Sequence, residues 1–275
     1  MSSGPDFLVI GAQKSGTTWL EKNLGAHPEI CTPKHKELHF FDKQDVFQRG
    51  QAWYEDQFDR RQKDQLAGEF TPNYFWLPSS KEEASESGQL SSIARRVQER
   101  YPEVKLIIAL RDPVDRAKSA YYHQIRARRV KPDETLSEVQ HKYGIASMGN
   151  YAVCLEEWLD AFPRESFHCV VYNDIVQEPL ETIQAVYQFL GVDADFVPKE
   201  ITRRRNRSNS HFLLRMNHVA PYLGRLIQKY YPTFGSHWTR FEIEVSMDDL
   251  SALRDYYRED SDKLESLLGR RLPWT

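Results

Sequence analysis

One segment near the start of the chain, residues 11–20, restricts the fold more than any other. It reads Gly-Ala-Gln-Lys-Ser-Gly-Thr-Thr-Trp-Leu, follows the apolar run 7–10 and leads into a helical pattern. Gly11 and Gly16 have the spacing of a phosphate-binding loop, in which backbone N–H groups and the N-terminus of the next helix surround an anion. The segment therefore predicts a buried strand, an anion-binding loop and a helix, in that order.

The position of the lysine distinguishes this loop from that of nucleoside-triphosphate-binding proteins. In those proteins the lysine directly follows the second glycine, whereas here Thr17 holds that position and Lys14 lies inside the loop. Thr18 keeps the usual hydroxyl. Because the position of the lysine decides which oxygen receives its charge, the pattern favours a different anionic substrate. Two other functions are compatible with such a loop. One is a P-loop kinase or NTPase, and the other is a non-catalytic module that binds anions or sulfated glycans.

Apolar runs alternate with helical patterns along the rest of the chain. Strands are predicted at 6–11, 29–31, 65–70, 104–110 and 167–172. Such alternation is typical of a parallel sheet with helices on both faces. The predicted fold class is therefore α/β, a P-loop-like parallel sheet flanked by helices, with a helical C-terminal part. Residues 1–275 are expected to form a single domain, in which 130–149 would be a mobile excursion.

Composition argues against several classes of protein. The net charge is −3 with 28% charged residues, so nothing globally basic indicates a nucleic-acid partner. No apolar run approaches the ~20 residues of a membrane span, and the first residues have no signal-peptide pattern. The three cysteines are scattered and form neither a metal-ligand spacing nor a disulfide framework. These features predict a cytoplasmic enzyme, and they say nothing of its oligomeric state.

The segment Lys14–Trp19 resembles the 5′-phosphosulfate loop of sulfotransferases that use 3′-phosphoadenosine-5′-phosphosulfate (PAPS). Its motifs are most similar to the glycosaminoglycan-type and bacterial branch. The resemblance implies transfer of a sulfo group to a hydroxyl or amine of a carbohydrate or natural-product acceptor, with adenosine 3′,5′-bisphosphate (PAP) as the other product and no required metal. It further implies that the loop binds the 5′ end of the donor through Lys14, Ser15, Gly16, Thr17, Thr18 and Trp19.

A second constellation follows the predicted strand 104–110. In the resembling family an arginine ends this strand and a serine lies eight residues later, and both bind the 3′-phosphate; Arg111 and Ser119 match them. A planar guanidinium suits bidentate phosphate binding. Asp112, followed by a proline, is predicted to cap the next helix rather than to hold magnesium. Arg116 is predicted to lie on the solvated face of that helix.

A third constellation supplies the base. Residues 36–42, Lys-Glu-Leu-His-Phe-Phe-Asp, resemble a segment in which the glycosaminoglycan branch uses its glutamate as catalytic base and the cytosolic branch uses a histidine. This chain has both residue types, so Glu37 is the preferred base and His39 the supporting or alternative candidate. A base must lie within hydrogen-bond reach of the acceptor proton.

Three further predictions concern the rest of the site. The segment 68–74, Gly-Glu-Phe-Thr-Pro-Asn-Tyr, has Phe70 where the family has a lysine. The sequence therefore does not identify the acceptor substrate. The basic run 203–207 resembles a late loop that closes over the nucleotide, and Arg205 and Arg207 are its candidate ligands. Trp19 and Tyr172 are the candidate aromatic residues for stacking on adenine.

Overall fold

The computed structural model describes residues 4–80, 83, 92–201, 211–230 and 243–275. Within these residues, five parallel strands form one sheet in the order β2-β3-β1-β4-β5. The strands are β1 (Phe7–Gly11), β2 (Ile30–Cys31), β3 (Leu66–Phe70), β4 (Lys105–Leu110) and β5 (Phe167–Val171). The predicted strands are confirmed, because each of their ends lies within one residue of the observed one.

Helices connect the strands and form the C-terminal part. They are α1 (Thr17–Leu24), α2 (Gln44–Phe47), α3 (Gln51–Glu55), α4 (Ile93–Arg100), α5 (Pro113–Arg126), α6 (Leu136–Val139), α7 (Tyr151–Ala161), α8 (Tyr172–Gln177), α9 (Pro179–Leu190), α10 (His211–Val219), α11 (Pro221–Tyr230) and α12 (Met247–Leu268). None of the helices in the described part of the chain is long and apolar enough to cross a bilayer.

The sheet has a hydrophobic core on each face, as its strand sequences require. Side chains alternate between the faces of a strand, so Leu8 and Ile10 of β1 pack into one cluster with residues of α4, α7 and α12. Phe7 and Val9 pack into the other cluster with residues of α1 and α9. β1 is buried along its whole length, which explains why it reads as a continuous apolar run. The predicted α/β fold class is confirmed.

The expectation of a mobile excursion at 130–149 is wrong. Val130, Leu136, Val139 and Ile145 are fully or almost fully buried, and they pack with residues of α5 and α12 in a third hydrophobic cluster. The apolar residues of this segment do not repeat with a helical or strand period over many residues. A prediction from hydrophobic periodicity therefore misses their burial.

The carboxyl ends of β1, β3 and β4 meet at one edge of the sheet. Strand order reverses at β1, because β2 and β3 lie on one side of it and β4 and β5 on the other. In open parallel sheets, ligands bind beyond the carboxyl ends of the strands at such a reversal. The loops after these three strands contain the predicted phosphate-binding loop, Thr71 and Arg111, so the fold brings the predicted motifs together.

Candidate active site

The loop between β1 and α1 has the backbone that its glycine predicts. Gly16 has a φ of 109°, a backbone conformation that residues other than glycine rarely adopt. A Cβ at this position would lie 2.7 Å from Cδ1 of Ile175. The carbonyl of Gly16 accepts hydrogen bonds from the N–H groups of Trp19 and Leu20, at 2.8 and 3.1 Å. Gly16 thus lets the chain turn from the strand into α1 with the helix N-terminus beside the loop.

The loop and α1 form one wall of a cavity of about 1040 Å³. Other walls come from the second half of α5, from α8 and from the segment 196–201. Of the residues predicted from the sequence, the cavity is lined by Lys14, Gly16, Thr17, Thr18, Trp19, Glu37, Arg111, Ser119 and Tyr172. One cavity therefore contains the predicted phosphate loop, the predicted 3′-phosphate ligands and the preferred base.

The backbone N–H groups of two loop residues already donate to carbonyl groups of the protein. The N–H of Ser15 donates to the carbonyl of Ala12 at 3.3 Å, and that of Trp19 donates to Gly16. The Ser15 side chain is fully buried, with its Oγ 3.5 Å from the hydroxyl of Tyr151. The N–H group of Thr17 lies in the first helical turn, where it has no intrahelical acceptor. Thr17 is therefore better placed than Ser15 to donate to an anion.

Lys14 belongs to a cluster of positive charges. Burial, with the nearby guanidinium groups of Arg126, Arg111 and Arg116, lowers the pKa of Lys14 to about 8, and the negative charge of Glu37 partly opposes this. Among the described residues, no carboxylate lies within ion-pair distance of Lys14. Because crowded cations repel one another, an anion bound among them is stabilised.

Arg111 directly follows β4, and Ser119 lies within α5. The guanidinium of Arg111 lies 4.8 Å from the centre of the Tyr172 ring, and its Nη2 is 3.2 Å from Oδ2 of Asp115. The buried Nε of Arg111 has no hydrogen-bond partner in the described part of the chain. Asp112 caps α5, since its Oδ1 accepts from the N–H groups of Val114 and Asp115. The predicted helix cap is confirmed, and Arg111 retains a donor for a phosphate.

The two candidate aromatic residues occupy different places on the cavity wall. Tyr172 packs against the Arg111 guanidinium, whereas the indole Nε1 of Trp19 donates to the carbonyl of Ile201 at 2.9 Å. Phe196 lines the same cavity. Sequence reasoning missed Phe196 because it lies in an irregular segment with no motif. Stacking on adenine by Trp19 or Tyr172 stays a prediction.

Glu37, His39 and Asp42 form a hydrogen-bonded chain of side chains. Nδ1 of His39 is 2.8 Å from Oδ2 of Asp42, and its Nε2 is 3.4 Å from Oε2 of Glu37. Burial opposes a charge on His39, but the hydrogen bonds with Asp42 and Glu37 outweigh it and raise the pKa of His39 to about 9. His39 is therefore an imidazolium at neutral pH, with each ring N–H donated to a carboxylate, and has no lone pair to accept a proton.

Glu37 has the complementary protonation state. The hydrogen bond from His39 holds the pKa of the Glu37 carboxyl below its usual range, although partial burial acts in the opposite direction. Glu37 is thus ionised at neutral pH, reaches the cavity and can accept a proton there. Of the two candidate bases, these protonation states favour Glu37 over His39.

All three candidate catalytic residues share an unusual backbone conformation. Lys14, Glu37 and His39 have φ values of 71°, 60° and 54°. Such a conformation in a residue other than glycine costs on the order of 1–3 kcal/mol and is concentrated at functional sites. The surrounding contacts hold these residues in an unfavourable conformation, which supports a functional role for both loops.

The cavity also contains residues that the sequence reasoning did not select. His123 and Arg126 line it from the same face of α5 as the predicted Ser119, at the i+4 and i+7 positions of a helix face. Extending the helical periodicity from Ser119 would have found the other two. Burial, together with the charges of Lys14 and Arg126, lowers the pKa of His123 to about 4, so His123 is neutral at pH 7.

The prediction that Arg116 is solvated is wrong. Its side chain is fully buried, and its Nη2 donates to the carbonyls of Gly144 and Ile145. Its Nε and Nη1 have no hydrogen-bond partner within the described residues. Arg116 therefore places a positive charge in the interior, close enough to lower the pKa of Lys14. The predicted ligands Arg205 and Arg207 lie outside the described residues.

Comparison with known proteins agrees with this geometry. Residues 4–213 match the model of the sulfotransferase domain family. Heparan sulfate glucosamine 3-O-sulfotransferase 5 of Mus musculus is 27% identical, over 98% of this chain and 74% of the relative. Heparan sulfate glucosamine 3-O-sulfotransferase 3B1 of the same species is 29% identical, over 98% of this chain and 65% of the relative.

The fold is also found among solved structures. A sulfotransferase from Alicyclobacillus acidocaldarius has a TM-score of 0.70 and 25% identity, covering 98% of this chain and 97% of its own. The sulfotransferase domain of the curacin biosynthetic pathway has a TM-score of 0.52 and 15% identity, covering 98% and 99%. The family match spans most of the chain and includes β1–β5, the phosphate loop and the Glu37 segment. The chain belongs to the sulfotransferase domain family and is a sulfotransferase.

Proposed function

We propose that this enzyme transfers a sulfo group from PAPS to a hydroxyl of a carbohydrate or natural product and releases PAP. In the step, the bond between sulfur and the bridging phosphate oxygen breaks, a bond from sulfur to the acceptor oxygen forms, and the hydroxyl proton passes to Glu37. The observation that carries this proposal is that Lys14 and Glu37 line the same cavity as Arg111 and Ser119.

The residues of the cavity fit a nucleotide with phosphates at both ends. Arg111 and Ser119 line the cavity as candidate ligands of the 3′-phosphate, and the Nε of Arg111 has no hydrogen-bond partner among the described residues. The turn at Gly16 and the N-terminus of α1 suit the 5′-phosphate. Lys14 would neutralise the charge that grows on the bridging oxygen. By analogy with phosphoryl transfer, positioning and electrostatic stabilisation supply most of the rate enhancement.

The proposed acceptor class rests on the relatives. Those named above are heparan sulfate glucosamine 3-O-sulfotransferases and align with 98% of this chain, which favours a hydroxyl of a carbohydrate. Phe70 replaces the lysine of the family in a segment beside the cavity and is itself buried against Phe7. The acceptor of this enzyme therefore need not be heparan sulfate, and a screen of carbohydrate and natural-product hydroxyls with radiolabelled PAPS is the direct way to identify it. A cytoplasmic location, a single domain over 1–275 and binding of the 3′-phosphate by Arg205 and Arg207 are further parts of the proposal.

Calorimetry with PAP and ATP tests the proposed donor. We expect PAP to bind at micromolar or better affinity in the presence of EDTA, and ATP to bind much more weakly with or without magnesium. Transfer from PAPS should likewise proceed in EDTA. Equal affinity for the two nucleotides, or magnesium-dependent ATP turnover, would instead support the kinase or NTPase alternative.

The activity should fall on the alkaline side of neutrality. In the free enzyme the pKa of Lys14 is about 8, so kcat/KM for PAPS, which reports free-enzyme groups, should decline above pH 8 as the lysine loses its charge. Because a bound anion raises that pKa, kcat should hold to higher pH and decline near 9, where His39 loses its proton. Because the pKa of Glu37 is lowered, Glu37 should stay ionised and preserve activity on the acidic side of neutrality. A profile of kcat/KM that stays flat to pH 10 would contradict these assignments.

Arg116→Met should weaken the binding of PAP on the order of tenfold, because it removes a buried positive charge near the phosphate loop. The free protein should lose little thermal stability, since relief of an uncompensated buried charge offsets the lost hydrogen bonds to two carbonyls. Lys118→Met is the matched control on the same helix, because Lys118 is partly exposed and does not line the cavity. Calorimetry with PAP for both variants makes the comparison, and equal affinities would remove the electrostatic role.

A further inference from the structure

A buried carboxylate lies directly beneath the loop that holds the candidate base. Glu69, in β3, is fully buried, and three hydroxyl groups donate to it. Thr71 Oγ1 and Tyr74 Oη each lie 2.7 Å from Oε1, and the hydroxyl of Tyr54 donates to Oε2. Within the described residues no cation is paired with it. The neutral donors alone compensate the burial of this carboxylate, which is costly without such partners.

The same hydroxyl groups hold the base loop. Tyr74 Oη accepts hydrogen bonds from the N–H groups of Phe40 and Phe41, at 3.0 and 3.3 Å. Thr71 Oγ1 accepts from the N–H of His39 at 3.5 Å. Two hydroxyls therefore receive three consecutive backbone N–H groups of the segment that carries the base.

The buried carboxylate determines the direction of these hydrogen bonds. A hydroxyl has one proton to donate and two lone pairs with which to accept. Backbone N–H groups can only donate, so the Tyr74 and Thr71 oxygens must accept from the loop and give their protons elsewhere. Glu69, an acceptor when ionised, is the group that takes both protons. An amide at this position would donate to one hydroxyl and disturb the pattern.

The base loop needs such an anchor because its backbone is unfavourable. Glu37 and His39 both have positive φ values, 60° and 54°, and a residue in this region persists only where its surroundings hold it. The ring of Phe40 also stacks on Tyr54 at 4.4 Å. The described contacts thus hold the loop against α3 and the segment that follows β3.

We propose that Glu69, acting through Thr71 and Tyr74, is a positioning residue that holds the loop 37–42 so that Glu37 faces the acceptor. This inference rests on the proposed function for its catalytic consequence. The segment 68–74 can hold the base loop even though Phe70 replaces the family lysine. Glu69 and Phe70 are neighbours in β3 and therefore face opposite sides of the sheet. Phe70 packs with the α1 and α9 side, and Tyr74 packs with the other side.

A pair of tyrosine variants isolates this role. Tyr54 and Tyr74 are both fully buried and both donate to Glu69, but only Tyr74 also accepts from the loop. Tyr74→Phe should lower kcat on the order of ten- to a hundredfold, since small misplacements of reacting groups have effects of this size. The Kd for PAP should stay within about threefold, because the donor site is not touched. Tyr54→Phe removes an equivalent hydroxyl and should leave kcat within about threefold.

Hydrogen–deuterium exchange supplies a readout that is independent of activity. Tyr74→Phe should accelerate exchange of the amides of residues 39–41 about tenfold or more, whereas Tyr54→Phe should not. Glu69→Gln should behave as Tyr74→Phe does. If the two tyrosine variants lose kcat equally, or if Tyr74→Phe exchanges at the wild-type rate, the positioning role is refuted. If the wild-type enzyme transfers no sulfo group, the proposed function fails while the exchange result still decides whether Glu69 holds the loop.

Discussion

Lys14→Met should lower kcat for sulfo transfer by about 10²- to 10³-fold, the effect of removing one preorganised group that stabilises charge in a transition state. The physical reason is the position of Lys14 inside the loop, in a cavity where burial and three guanidinium groups already lower its pKa. An ammonium in this setting interacts strongly with a growing negative charge. Methionine has a similar length, so the packing of the loop should change little.

The distribution of the loss between steps tests the role of Lys14. Affinity for PAP, which lacks the sulfo group, should fall much less than kcat, because the charge on the bridging oxygen develops only in the transition state. Single-turnover rates with labelled PAPS measure the chemical step directly. Lys118→Met serves again as the control for loss of a lysine charge on a helix near the site. A Lys14→Met enzyme that transfers at the wild-type rate, or one that loses only affinity, would eliminate the leaving-group role.

The elements that the sequence predicted correctly depend on local physical chemistry. Gly16 is required by a backbone conformation, and Asp112 caps α5 with its own side chain. β1 is apolar because both of its faces are covered. Each of these features leaves a signal within a short stretch of the chain, so the types and spacing of its residues contain enough information. The order of the motifs then places them at one edge of the sheet.

The features that the sequence could not predict depend on contacts between distant segments. Arg116 looks like an ordinary surface residue of an amphipathic helix, and it is buried because the segment around Gly144 covers it. The Ser15 hydroxyl faces Tyr151, which is 136 positions away in the chain. The network around Glu69 joins residues of α3, β3 and the base loop. No window of the sequence contains these partners, so only the folded chain reveals them.

The choice between Glu37 and His39 as the catalytic base also cannot be made from the sequence alone. The sequence offers two residues that can act as bases, and their types alone do not rank them. Asp42 favours Glu37 as the base, because its buried carboxylate accepts from Nδ1 of His39 and, with Glu37, keeps the imidazole protonated up to a pH of about 9. A histidine that is already charged cannot take a proton from the acceptor.

Glu37→Gln should therefore lower kcat by about 10²- to 10⁴-fold, the usual contribution of a general base, with the affinity for PAP retained. Glutamine keeps the size of the side chain and can still accept a hydrogen bond from Nε2 of His39, but it cannot take a proton. Asp42→Asn should have a different effect. It removes the charge that raises the pKa of His39 most directly, so the alkaline limb of the kcat profile should move from about 9 toward the ordinary histidine value of about 6.5.

These two variants separate the roles of base and orienting residue. If His39 were the base, its deprotonation would be required for activity. The Asp42→Asn enzyme would then be more active near neutral pH, and Glu37→Gln would have only a small effect. If Glu37 is the base, Glu37→Gln lowers kcat at every pH, whereas Asp42→Asn lowers it only above the new pKa of His39. Stopped-time assays of both variants between pH 5 and pH 10, with labelled PAPS at saturation, give the two profiles, and their shapes identify which side chain receives the acceptor proton.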